Sequence, residues 1–184
     1  MALTGINNDE QKLAQMILYI SQKCATCPTF GATLLNKILY FSDFLAFGNL
    51  GKSITGVEYQ NLRNGPAPRR LLPVRNALVE NDYLVVQELH LQSGRAQHRT
   101  VNLVEADLSI FDGNEIAQVD RVIQSLWNKD AEGVSLLTHR MVGWQMTMEG
   151  ETIPYESIFL SSSPLTEAEV KRGHELAKEL AVAH

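Results

Sequence analysis

Cys24 and Cys27 stand as a single Cys-X-X-Cys pair, the spacing used both by zinc sites and by dithiol redox centres. A zinc site wants a second pair, or histidines at ligand spacing, and neither lies nearby. A redox dithiol wants a strand before it, whereas Leu13 to Gln22 has helical spacing and Pro28 follows the pair. The two thiols therefore read as structural groups at a helix end, and no metal or cofactor is expected. Of the five histidines, His90 and His98 fall in β-rich runs, His174 in a late helical run and His184 at the last position. His139, between Thr138 and Arg140 in a segment ending at Trp144, suits either a local anchor or an acid–base group, and the anchor reading is favoured. Gly51, Lys52 and Ser53 resemble the end of a phosphate loop, but Ala46 stands where its first glycine belongs. No nucleophile elbow or His-Glu-X-X-His helix is present. An enzyme built on His139 and a carboxylate is thus the weakest reading, and no catalytic residue is assigned.

Binding chemistry is better represented. Lys52, Arg63, Arg69, Arg70 and Arg75 fall within 24 residues that hold one acid, Glu58. A helix and a hairpin bearing Arg95 and Arg99 follow, the layout of a winged-helix DNA binder. Against that, the chain has a net charge of −5, and arginines beside a Pro-rich loop often tie the loop to the body. The charge is also divided: residues 1–104 carry ten Lys and Arg against seven Asp and Glu, whereas residues 105–184 carry six against fourteen. Such a split suits a macromolecular partner without naming it.

The elements that must position these groups follow from periodicity. Asn8 and Gln11 form a capping-box pattern ahead of Leu13, Met16, Ile17 and Ile20, the stripe of a first helix. A second helix follows Gly31 and stops at Gly48, with apolar residues over most of its circumference, so it is expected to be the central, buried one. Its polar residues Thr33, Asn36, Lys37, Tyr40 and Asp43 form a strip that must meet water or a polar partner, read as a solvated edge. The Gly-, Pro- and Asn-rich residues 51–73 predict an ordered loop, and Pro73 predicts a third helix that starts or kinks near Leu72 and ends at Asn81 and Asp82. Residues 83–91 and 97–104 predict a β-hairpin. A fourth helix follows Asp112 and a short fifth covers SLLTHRM. Residues 153–160 read as a strand or short helix, and Thr166 with Glu169 caps a last helix. The predicted fold is α+β and mainly helical, with helices around one central helix and a single hairpin, winged-helix-like as an alternative.

At 184 residues, 45% hydrophobic and 20% charged, the chain can bury a core of its own. No run approaches the roughly 20 apolar residues that a membrane span needs, and Asp9, Glu10 and Lys12 interrupt any signal-like start, so a cytoplasmic protein is expected.

Three stretches together resemble one family. The first, NKILYFSDFLAFGNLGKSITGVEYQNLRNGPAPRRLL, is similar to the signature of the Panacea domain, the SocA-like antitoxin family also seen in phage-associated proteins. Lys37, Tyr40, Asp43, Ile54, Thr55, Gly56, Tyr59, Gly65, Pro66 and Pro68 carry that similarity. The second is the hairpin after NDYL, and the third has Leu137, Thr138, His139, Trp144 and Ile153 in the family's closing motif. Arg140, Met141 and Val142 depart from the pattern, as does Pro73. The resemblance covers roughly residues 10 to 160 and implies a domain over 1–162; residues 163–184 have no match in it and are expected to form a C-terminal helix packed on that domain. It also implies an antitoxin that binds a protein toxin encoded by a neighbouring gene, with a protease as a further partner; operator DNA is the partner of the alternative reading, a winged-helix regulator. Candidate partner-binding residues are Lys37, Tyr40, Asp43, Arg69 and Arg70. Gly56, Tyr59, Gly65, Pro66, Pro68, His139 and Trp144 are expected to be structural.

Overall fold

In this computed structural model residues 5–90, 94, 96–164 and 166–182 are described, the last four by backbone alone. The helices are α1 (Gln11–Lys23), α2 (Ala32–Leu50), α3 (Leu71–Glu80), α4 (Gly113–Leu126), α5 (Ala131–His139), α6 (Val142–Gln145) and α7 (Glu167–Val182). Two antiparallel pairs interrupt them: β1 (Tyr59–Gln60) with β2 (Ala67–Pro68), and β3 (Leu84–His90) with β4 (Ala96–Asn102). The fold is α+β and mainly helical. Among the described residues no helix is long and apolar enough to cross a membrane.

The centre is α2, as its all-round apolar surface predicts. It packs against α1, α4, α5, β2, β4 and the 3-10 turn Tyr155–Phe159, burying Leu34, Leu35, Ile38, Leu39 and Phe44. Its end differs from the expected one. Gly48 continues the helix beside Ile158, and the stop falls at Gly51, whose φ of 75° lets its amide close on the Phe47 carbonyl at 3.0 Å. Other boundaries move for similarly local reasons. The entry to α1 is a 3-10 turn, Asn8–Glu10, in which the Glu10 carboxylate accepts from the Asn7 amide, so the cap sits one residue earlier than expected. Pro73 sits in the first turn of α3, where its missing amide leaves no helical bond unmade.

The hairpin spans Leu84↔Asn102 to His90↔Ala96, with most of its predicted turn, including Arg95, outside the described residues. It is anchored at its base: Leu84 is buried under α3, and the Thr100 and Ser21 hydroxyls lie 2.7 Å apart between β4 and α1. The ambiguous segment after Ile153 is a 3-10 helix, not a strand. Thr166 and Glu169 do cap α7, but every described side chain from Glu167 to Lys178 is exposed, where packing on the body was expected.

Candidate functional site

The motif residues of α2 point into the protein. Lys37, Tyr40 and Asp43 are 1%, 0% and 0% exposed, so the strip is not the solvated edge expected from its polarity. Only Thr33 and Asn36, one turn earlier, are partly open. A direct partner contact through those three side chains is therefore ruled out in this conformation. Lys37 and Asp43 spend their hydrogen bonds on the loop between α2 and α3, while the Tyr40 hydroxyl is buried with no hydrogen-bond partner among the described residues.

Asp43 is the hub. Its Oδ1 accepts from the amides of Ile54 and Thr55, both at 2.8 Å. Its Oδ2 accepts from the Thr55 hydroxyl and from the Tyr59 phenol at 2.7 Å. Burial pushes the Asp43 carboxyl upward, and these donors pull it back without cancelling the rise. The same burial, with the neighbouring Asp43, holds the Tyr59 phenol well above its ordinary range. An aromatic frame surrounds the hub: Tyr40, Phe44, Tyr59 and Tyr155 meet at centroid distances of 4.2 to 6.1 Å, and Tyr155 donates to the Val57 carbonyl at 2.7 Å.

Lys37 locks the other end of the loop. Its ammonium donates to the Pro66 carbonyl at 3.2 Å, and no carboxylate lies in ion-pair range among the described residues. Burial alone lowers its pKa to about 7. Gly65, at φ +91°, lies so close that a Cβ there would sit 2.6 Å from Lys37 Nζ and 2.5 Å from the Thr138 hydroxyl. Glycine is required here on two counts, conformation and space.

The closing motif returns the chain to this loop. His139 stacks on Trp144 at 4.1 Å between centroids, and Trp144 Nε1 donates to the Leu62 carbonyl at 3.2 Å. The His139 side chain makes this stack and no side-chain hydrogen bond among the described residues. The Asn61 side-chain amide donates to the carbonyls of Trp144 and Thr147 at 2.8 and 2.7 Å. Backbone bonds from Ile153 to Tyr59 and from Asn61 to Glu151 then add residues 151–153 alongside β1. Sequence reading passed over Asn61 and the Tyr155 hydroxyl. Asn61 stands between two recognised motif positions, and that placement was the only available signal.

The basic residues are largely engaged. Arg69 is exposed but donates to the Gly150 carbonyl at 2.7 Å and pairs with Glu58 at 3.4 Å. Arg70 is exposed and bridges to the buried Glu10. Arg99 clamps the carbonyls of Cys24, Ala25 and Cys27, closing the turn after α1. Cys24 and Cys27 are buried and unbridged; burial pushes the Cys24 thiol up to about 12, and Cys27 donates to the Trp127 carbonyl.

What this geometry builds is a helix–loop–helix clamp closed by a distant motif, and the description Antitoxin SocA-like, Panacea domain, matches residues 35–145, well over half of the chain. The chain belongs to the SocA-like antitoxin family. The match opens on the helix that carries Lys37, Tyr40 and Asp43 and ends one residue after Trp144, so it takes in the loop and the His139–Trp144 stack but not residues 147–155 of the clamp. Gly56, Tyr59, Gly65, Pro66 and Pro68, the loop positions of this Panacea domain, all lie between those limits. No curated protein matches the chain.

Proposed function

We propose that this protein is the antitoxin of a toxin–antitoxin pair and neutralises a protein toxin by direct binding, as a non-enzymatic scaffold. The observation that carries the reading is the inward orientation of the family motif. Lys37, Asp43, Tyr59, Gly65 and Trp144 hold a rigid loop in place, and none of them presents a reachable nucleophile or base. Selection of this kind of architecture fits a binding surface held by a stiff frame. The exposed Arg69 and Arg70 lie on that frame, with guanidiniums held by Gly150 and Glu10, and make the nearest candidates for toxin contact.

Co-expression with the product of the neighbouring gene tests it. Growth should recover and the two proteins should co-purify; a neighbour that is neither neutralised nor bound would overturn the reading. Toxin half-life in the same cells separates neutralisation by binding from hand-over to a protease, since only the latter shortens it.

Winged-helix DNA binding is the second reading, favoured by the order α3, β3, β4. Arg69, Arg70 and Arg99 already hold protein groups, which leaves few cations for phosphate contact. Operator retention that weakens steeply with salt supports this reading, and no retention at low salt removes it.

A further inference from the structure

Two surfaces are left uncovered, and they match. The first is α7. Each described side chain from Glu167 to Lys178 is exposed, including Val170 at 40% and Leu176 at 42%. Val170, Gly173 and Ala177 follow helical i, i+3, i+7 spacing with Leu176 beside them, so α7 has a narrow apolar stripe. Glu167 and Glu169 border the stripe in its first turn. An isolated helix of 16 residues is marginal in water, so this one needs an apolar surface to stand on.

The second surface is an apolar groove of about 450 Å³ on the body. Half-buried Phe41 and Leu45 of α2 form one wall, α4 supplies the other with Ser125 over the buried Val122, and Leu137 and Met141 close an end. At the rim stands Arg121, exposed and with no carboxylate in ion-pair range among the described residues. The groove therefore asks for an apolar helix face with an acid at its edge, which is the pattern α7 carries.

We infer that α7 of one copy docks in the α2–α4–α5 groove of a second copy, giving a reciprocal, twofold dimer. Each chain holds both halves of the contact, so one exchange closes the assembly and leaves no open end. In its own chain every described side chain of α7 stays exposed. A helix about 24 Å long laid along a groove is a helix-in-groove contact, and the twofold arrangement makes it twice. Arg121 supplies the charge that the Glu167 and Glu169 edge of α7 lacks.

Sedimentation velocity across a dilution series tests the inference, with no toxin needed, so the result stands apart from the antitoxin reading. The full chain should reach a dimer, and Leu176→Glu should return it to monomer with unchanged circular dichroism and melting of the body. Met141→Glu, on the groove side, should do the same. A Val170→Cys, Ser125→Cys variant carrying Cys24→Ser and Cys27→Ser should form covalent dimers under oxidation, Ser125 being the exposed groove residue of α4. A wild-type chain that stays monomeric overturns the inference, as does a dimer that survives Leu176→Glu. Cross-linking found only within one chain also overturns it, because α7 would then cover its own groove.

Discussion

The phenol of Tyr59 donates to Oδ2 of Asp43 at 2.7 Å, joining the middle of α2 to the first residue of β1, and both side chains are closed to water. Around this bond the Thr55 hydroxyl and two backbone amides converge on the same carboxylate. Removing the acceptor strands several buried donors at once.

Asp43→Ala is therefore expected to destabilise the fold by about 3–5 kcal/mol, the scale for breaking a buried charged network from one side. Tyr59→Phe removes a single donor and should cost about 1–2 kcal/mol. Urea denaturation of the two variants measures the ratio; equal losses would show that Asp43 is not the hub.

Lys37 gives the stability a pH dependence of defined sign. Its pKa in the folded chain is about 7, below the ordinary 10.5, so between these values the unfolded chain binds more protons. Stability from this group rises with pH across that window and is lowest below it. Full titration is worth on the order of 4 kcal/mol, of which pH 7 to 8.5 samples the first part. Lys37→Met should flatten this rise, and the difference between the wild-type and variant curves isolates the contribution of Lys37.

Gly65 and Gly56 both have positive φ, at 91° and 73°, yet differ in what surrounds them. A Cβ at Gly56 meets nothing within 4 Å, so Gly56→Ala should cost only the left-handed backbone penalty of about 1–2 kcal/mol. Gly65→Val adds a collision with Lys37 and Thr138 and should exceed about 3 kcal/mol. Thermal melts that rank the two the other way would count against the close packing.

His139→Ala is expected to lower stability by about 1–2 kcal/mol through loss of the stack on Trp144. Toxin neutralisation per folded molecule should persist. A variant that folds like the wild type but no longer neutralises would place His139 in the interface.

The thiols of Cys24 and Cys27 should resist a thiol reagent in the native protein and react fully in denaturant. Burial suppresses the Cys24 thiolate, and Arg99 ties down the surrounding carbonyls. Rapid labelling of the native chain would contradict this.

Legibility followed the range of the forces involved. The helices of the body, the base of the hairpin and the cap at Thr166 are local matters of periodicity and hydrogen bonding within a few residues. They were readable one residue at a time. The burial of Lys37 was not, because a lysine on a helix looks the same whether a loop covers it or not. Asn61 and Tyr155 act across 83 and 98 residues, and no local pattern announces such partners.

By itself the sequence determined a mainly helical chain with α2 at its centre and a family motif in order along α2 and its loop. The tertiary structure alone decided which way that motif faces. Solvation of Lys37, Tyr40 and Asp43 is set by the return of residues 54–66 and 138–155 over them, a matter of non-local closure. It likewise decided that α7 stands uncovered, since an apolar stripe specifies that a partner surface is needed but not which surface provides it.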